Sequence, residues 1–194
     1  MVKVVAIVGS PRKNKNNDLL LSHILKGLTT NEEEMHIDKY HAYDLNIKPC
    51  IACDGCTRKL GCVFKDDMTE IYQKFNEADI VIIASPLYFN SVSAQLKAII
   101  DRCQAIWSSK YVLKNSMINQ NKKRIGYFIS TAGMPYSSEL FSAAIPVMDL
   151  FFKSINCEYV ENLFVANVDN QSVNDQNLDE AYAIGQNILK QLKS

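Results

Sequence analysis

Hydrophobic and polar positions follow two different rhythms along this chain. Residues 3–8 form an unbroken apolar run that stops at Gly9-Ser10-Pro11, and residues 79–85 (DIVIIAS) form another that stops at Pro86. Residues 124–130 repeat the pattern. Runs of that length bounded by turn residues predict strands buried on both faces, as a parallel sheet requires. Looser alternation over 34–43 (Met35, Ile37, Tyr40) and the run 158–165 predict two further strands. Between them the period changes. Leu20, Leu21, Ile24, Leu25 and Leu28 recur at helical spacing, as do Leu96, Ile99, Ile100 and Cys103 within a predicted helix over 93–107. Helices are also expected over 66–76, 138–154 and 178–192, with the Asn-rich patch 167–177 as a loop and helix start. Residues 44–65 have no period and carry four cysteines, which reads as a long functional loop.

Five strands alternating with five helices predict an α/β protein with a doubly wound parallel sheet and right-handed crossovers. The 194 residues suit a single domain, 1–194, with the cysteine-rich loop at 44–65 set into it. In such sheets ligands bind beyond the carboxyl ends of the strands at the topological switch point. That rule selects three loops: 9–17, 85–91 and 130–136.

The first loop leads into a helix N-terminus, where free amides and the macrodipole favour a phosphate; Ser10, Arg12 and Asn17 add donors. It lacks the repeated glycines of a dinucleotide fingerprint and the Gly-Lys-Ser/Thr end of a P-loop. A plain capped turn is the alternative reading. The second loop, Ser85-Pro86-Leu87-Tyr88-Phe89-Asn90-Ser91, places aromatics where solubility would favour polar residues; they either wall a flat ring or fill a packing gap. The third, Ser130-Thr131-Ala132-Gly133, is small enough for close backbone approach.

Charge and composition narrow the partners. Lys+Arg and Asp+Glu balance at 21 each, so no field steers the chain toward nucleic acid or an anionic membrane. No apolar stretch nears the ~20 residues that span a bilayer, and the first apolar run is too short for a signal peptide, so a cytoplasmic protein is expected. The histidines (His23, His36, His41) fall on a helix or the second strand, away from the three loops, and are expected at the surface.

Cys50, Cys53, Cys56 and Cys62 follow the pattern C-x2-C-x2-C-x5-C, whereas Cys103 and Cys157 stand in apolar contexts as expected buried thiols. Three evenly spaced thiols with a fourth nearby favour an iron–sulfur cluster, [4Fe–4S], over zinc, which takes separated pairs. A metal-free loop of thiols stays open as an alternative. Arg58, Lys59 and Lys65 are the candidate cations around such a centre, or else a solvated rim.

The loops from Gly9 to Asn16 (GSPRKNKN) and Ser85 to Ser91 (SPLYFNS), with Lys97 to Arg102 (KAIIDR), resemble the NADPH-dependent FMN reductase family, and the cysteine segment through Asp66-Asp67-Met68 resembles its iron–sulfur flavoprotein branch. The resemblance covers the order of elements along essentially the whole chain. It implies a flavodoxin-like three-layer sandwich with a five-stranded parallel sheet in the order 2-1-3-4-5. It implies FMN with its phosphate at Ser10, Arg12, Asn16 and Asn17, its ring against Pro86, Leu87, Tyr88, Phe89 and Asn90, and Thr131 and Gly133 near the ring edge. Cys50, Cys53, Cys56 and Cys62 would be the metal ligands. Two departures stand out: the family commonly has Gly and Thr where this chain has Lys15 and Asn17, a change that bears on how the loop turns.

The implied function is electron transfer from NAD(P)H, or from a reduced ferredoxin-like protein, to a small planar acceptor such as a quinone or flavin, with no catalytic side chain required. An iron–sulfur flavoprotein acting as electron carrier and a thiol-based redox-sensing module are the rival readings. A homodimer or homotetramer is implied, with Trp107 and Tyr111 as an interface, a lid over the flavin or ordinary packing.

Overall fold

A computed structural model describes residues 1–30 and 33–193. Five strands pair in parallel in the order β2-β1-β3-β4-β5, which is the flavodoxin-like doubly wound arrangement. These are β1 (Val2–Val8), β2 (Met35–His41), β3 (Ile80–Pro86), β4 (Ile125–Thr131) and β5 (Glu158–Val165). The centre of the sheet reads as its sequence demands: every residue of β3 and β4 is buried, while the outer strand β2 has only partly buried and exposed positions and β5 mixes buried and exposed ones.

Successive side chains on a strand point to opposite faces, so the apolar runs feed two cores. Val4, Ala6 and Val8 of β1 join Ile80, Ile82 and Ala84 of β3 under α1 (Asn16–Leu28) and α6 (Asp175–Lys193). Val5, Ile7, Val81, Ile83 and Phe128 face α2 (Met68–Glu77), α3 (Ala94–Arg102), α4 (Gln104–Tyr111) and α5 (Ala144–Ser154). The helices α1 and α6 touch through a glycine on each: a Cβ on Gly27 would stand 2.1 Å from the Tyr182 carbonyl oxygen, and one on Gly185 2.1 Å from that of Ile24.

Three elements differ from the sequence reading. The helix expected over 93–107 breaks at Cys103 into α3 and α4. The Arg102 carbonyl accepts the Tyr72 hydroxyl at 2.7 Å, and the Cys103 amide bonds back to the Ile100 carbonyl, the tighter three-residue spacing. The helix expected over 138–154 begins only at Ala144, after successive turns through Ser137, Glu139 and Phe141. That start puts Pro146 in the first turn, where its missing N–H costs nothing; a helix from 138 would have put it in the interior. The last helix begins at Asp175 rather than 178, because the side chains of Asn174 and Asn177 each accept the other's backbone N–H. Cys103 and Cys157 are buried, as expected. Among the described residues no helix is long and apolar enough to cross a membrane.

Candidate functional site

The chain leaves β1 toward one side of the sheet and β3 toward the other, so a crevice opens beyond their carboxyl ends. A cavity of about 400 Å³ lies there. The loop after β1 contributes Ser10, Arg12, Asn16 and Asn17; the loop after β3 contributes Pro86, Leu87 and Tyr88; the end of β4 contributes Thr131 and Gly133. Nine of the eleven residues expected around a bound flavin therefore share one cavity.

Its floor is tied by hydrogen bonds between loops distant in sequence. The Asn17 amide donates to the Thr131 hydroxyl at 2.8 Å, and the Leu87 N–H donates to the Thr131 carbonyl at 2.8 Å. Ser10 is buried and its hydroxyl accepts the Arg12 N–H at 3.2 Å, which folds the loop back on itself. Helix α1 starts at Asn16, so its first amides open at this end with Arg12 and Lys15 beside them. Asn17 is 3 % exposed, yet its side-chain oxygen has no partner among the described residues. A buried amide with half its capacity unused is costly unless a ligand meets it. Because the Thr131 hydroxyl can donate as well as accept, the Asn17 amide can offer either C=O or NH2 to the cavity. The donor set suits an anionic head group followed by a planar body.

Behind the loop, the Asp18 carboxylate accepts the Asn14 N–H at 2.8 Å and the Lys39 ammonium at 2.6 Å, with the His41 ring 3.8 Å away. Burial alone would raise the Asp18 carboxyl, but Lys39 and the Asn14 amide hold it below its ordinary value. His41 thus corrects the expectation of a surface residue: it is mostly buried at the carboxyl end of β2, and its Nδ1 has no partner among the described residues.

Phe89 and Asn90 stand outside the cavity lining. They form the tip of a two-residue turn in which Tyr88 and Ser91 exchange backbone hydrogen bonds of 2.8 and 3.0 Å. Both have positive φ, 48° and 60°, as such a turn requires. Asn accepts that conformation readily; Phe does not, and the Phe89 side chain is wholly exposed. Four lining residues lay outside the expected set: Lys15, Met134, Val168 and Asp169. Asp169 follows β5, a strand end that the switch-point rule also covers, and it packs against Gly133 so closely that a Cβ there would meet Oδ2 at 2.0 Å. The Trp107 and Tyr111 rings meet at a tilt, with centroids 4.2 Å apart, and do not line this cavity.

The cysteine segment lies apart from that cavity. Cys50, Cys53, Cys56 and Cys62 line a smaller one of about 40 Å³, with Phe64, Arg102 and Gln104. Left-handed Ala52 (φ 51°) and Asp54 (φ 54°) curl the chain between the first thiols, and Cys56 donates to the Ser108 hydroxyl of α4 at 3.5 Å. Four cysteines lining one space, with no carboxylate among the lining residues except Asp54, match in residue type the donor set of a thiolate-bound centre. Among the described residues, no three Cys, His, Asp or Glu side chains stand at metal-holding separations. The expected cations Arg58, Lys59 and Lys65 do not line this cavity; the cation that does is Arg102.

A doubly wound sheet in the order 2-1-3-4-5 with a crevice at its switch point defines the class as a flavodoxin-like α/β fold. Residues 2–160 match the family of NADPH-dependent FMN reductases, and the chain belongs to that family. It is 35% identical over 116 residues to an iron-sulfur flavoprotein of Methanosarcina thermophila, covering 60% of this chain and 60% of that protein. An iron-sulfur flavoprotein of Archaeoglobus fulgidus is 42% identical over 101 residues, covering 52% of this chain and 45% of that protein. The chain thus matches about half the length of these curated relatives. In fold it is similar to the NAD(P)H:quinone oxidoreductase from Methanothermobacter marburgensis, with a TM-score of 0.74 at 18% identity over 96% of this chain and 95% of that one.

Proposed function

We propose that the protein is an FMN-dependent oxidoreductase that moves electrons from NAD(P)H, or from a reduced ferredoxin-like donor, to a small planar acceptor such as a quinone or flavin. The observation that carries this reading is the switch-point cavity, in which Arg12, Lys15 and the half-used amide of Asn17 converge at the start of α1. Bound FMN would supply the chemistry, accepting hydride and releasing electrons singly or in pairs.

The chain's own residues bind and orient. Ser10, Arg12, Asn16 and Asn17 would hold the phosphate, with Lys15 replacing a glycine's flexibility by a second positive charge. Pro86, Leu87 and Tyr88 would form one wall for the ring, and Thr131 and Gly133 would approach its edge. Phe89 and Asn90, held out at the turn tip, would meet the acceptor or a second copy of the chain in a homodimer or homotetramer rather than the ring itself. Cys50, Cys53, Cys56 and Cys62 would hold a [4Fe–4S] cluster, which would supply one-electron exchange with a protein partner.

Titration of the purified chain with FMN, followed by anaerobic oxidation of NADH or NADPH in the presence of quinone, flavin or nitroaromatic acceptors, tests the reading. Stoichiometric FMN with turnover is expected. FMN binding without turnover of any of these acceptors would make the protein an electron carrier, and no FMN binding would remove the reading altogether.

A further inference from the structure

The cysteine segment is closed at its base by one side chain. Arg102, at the last position of α3, is 2 % exposed. Its Nη1 donates to the Lys48 carbonyl at 2.8 Å and to Asp66 Oδ2 at 2.7 Å, and its Nη2 donates to Asp66 Oδ1 at 3.0 Å. Lys48 and Asp66 bracket all four thiols of the loop. The Asp66 carboxylate also accepts the Lys48 N–H at 3.1 Å and the Met68 N–H at 3.2 Å, so it takes four hydrogen bonds and joins the two ends directly. The guanidinium lies 5.2 Å from the centre of the Phe64 ring, and the Arg102 carbonyl is fixed by Tyr72. One guanidinium thus grips both ends of the segment and ties them to the α3–α4 junction that lines the cavity.

One donor is left over. The Arg102 Nε–H is buried without a partner among the described residues, and Arg102 lines the cavity that the four cysteines line. A buried cation with a free donor is costly beside neutral thiols and favourable beside thiolates, which carry negative charge and accept weakly but usefully. Among the described residues no other Lys or Arg lines that space.

We propose that Arg102 is the positioning residue of the cysteine site: it clamps residues 48 and 66 so that the four cysteines line one cavity, and its Nε–H serves the negative charge on sulfur there. The second half of this proposal rests on the reading of the cysteines as a ligand set; the clamp itself does not.

The test uses the full-length chain purified anaerobically, as wild type, Arg102→Gln, Arg102→Lys and Asp66→Asn. Breaking a buried ion pair by removing one partner costs several kcal/mol, so amide hydrogen exchange within residues 48–66 should rise at least about tenfold in Arg102→Gln and Asp66→Asn, with β1, β3 and β4 unchanged. Outer-shell partners typically change metal affinity by about 10–100-fold, so iron and acid-labile sulfide should fall below about a tenth of wild type in Arg102→Gln. Arg102→Lys keeps the charge but cannot bridge two acceptors in a plane, and should lie between the two. FMN titration is the control and should be unchanged in all three variants, because neither Arg102 nor Asp66 lines the FMN cavity. Wild-type exchange within 48–66 in Arg102→Gln, or wild-type iron in that variant, overturns the proposal. Should Arg102→Gln be insoluble, Arg102→Lys and Asp66→Asn decide by the same exchange readout. Absence of iron and sulfide from the wild type itself overturns the cluster reading and with it the role of Nε–H, while the exchange data still decide the clamp.

Discussion

Asn17 and Arg12 illustrate how much a single position can carry and how differently two positions do so. Asn17 is buried and bonded to Thr131 across the cavity floor, whereas Arg12 lines the cavity from an exposed position. A charge-assisted hydrogen bond to phosphate contributes about 1.5–3 kcal/mol, so Arg12→Gln should weaken FMN binding by roughly 10–100-fold, read by quenching of flavin fluorescence. Asn17→Ala should do at least as much and also lower the unfolding midpoint, because Thr131 then loses its partner; an unchanged flavin affinity in both would remove these residues from the phosphate site. Two carboxylates set the acid limit of the fold. Burial pushes Asp18 and Asp66 upward, but Lys39 and Asn14 around the first, and Arg102 and Lys48 around the second, hold both below the ordinary 3.8. A carboxyl depressed in the folded state stabilises it above the unfolded value and loses that contribution as pH falls through it. Urea midpoints should therefore drop as pH falls from about 5 through 3.8, and Asp18→Asn or Asp66→Asn should flatten that dependence while lowering stability near neutrality. The sequence marked Ser10, Arg12, Asn17 and Thr131 by residue type and loop position. It marked Arg102 only as the end of the KAIIDR motif and His41 only as a surface residue, because the roles of Asp18, His41 and Arg102 come from partners that lie elsewhere in the chain.

Elements were legible where a single physical demand dominated. The apolar runs of β1, β3 and β4 can only be central strands, and their alternation feeds both cores. Boundaries escaped where competing local bonds decide them: the Tyr72 hydroxyl at the Arg102 carbonyl, Pro146 in α5 and the Asn174–Asn177 pair before α6. The contact of α1 with α6 is likewise invisible in a hydrophobic pattern, since it rests on the absence of side chains at Gly27 and Gly185. Ala at either position would drive a Cβ into the opposing helix backbone, and backbone yields less than a side chain end. Overpacking of this kind costs about 1–3 kcal/mol, so Gly27→Ala and Gly185→Ala should each lower the thermal midpoint by several degrees, about 2–4 °C per kcal/mol for a chain of this size. Calorimetry checks this, and a midpoint equal to wild type would mean the two helices separate freely.

At the scale of the whole molecule the two candidate sites share no lining residue, and the first lies beyond the carboxyl ends of the strands. The start of α1, with the proposed phosphate donors, belongs to the face that α1 and α6 cover. The cysteine loop packs through Leu45, Ile47, Cys56 and Cys62 against the core beneath α2–α5. Its closure depends on α3 and α4 through Arg102 and Ser108, and none of its residues lines the FMN cavity. The place of the first cavity follows from strand order, which the alternation of elements already implied; which face the cysteine loop lies on did not, because residues 44–65 have no period to read. Binding to the native state alone stabilises it by about 2.7 kcal/mol at a hundredfold excess over Kd, so saturating FMN should raise the thermal midpoint of the wild type. Replacing Cys50, Cys53, Cys56 and Cys62 together by Ser should leave that rise and the FMN affinity within about threefold of wild type, since sites without shared partners behave nearly additively. The same variant should lose any exchange of single electrons with a protein partner. A quadruple variant that no longer binds FMN would show that the loop and the cavity fold as one unit, in which case the cysteine segment belongs to the flavin site itself.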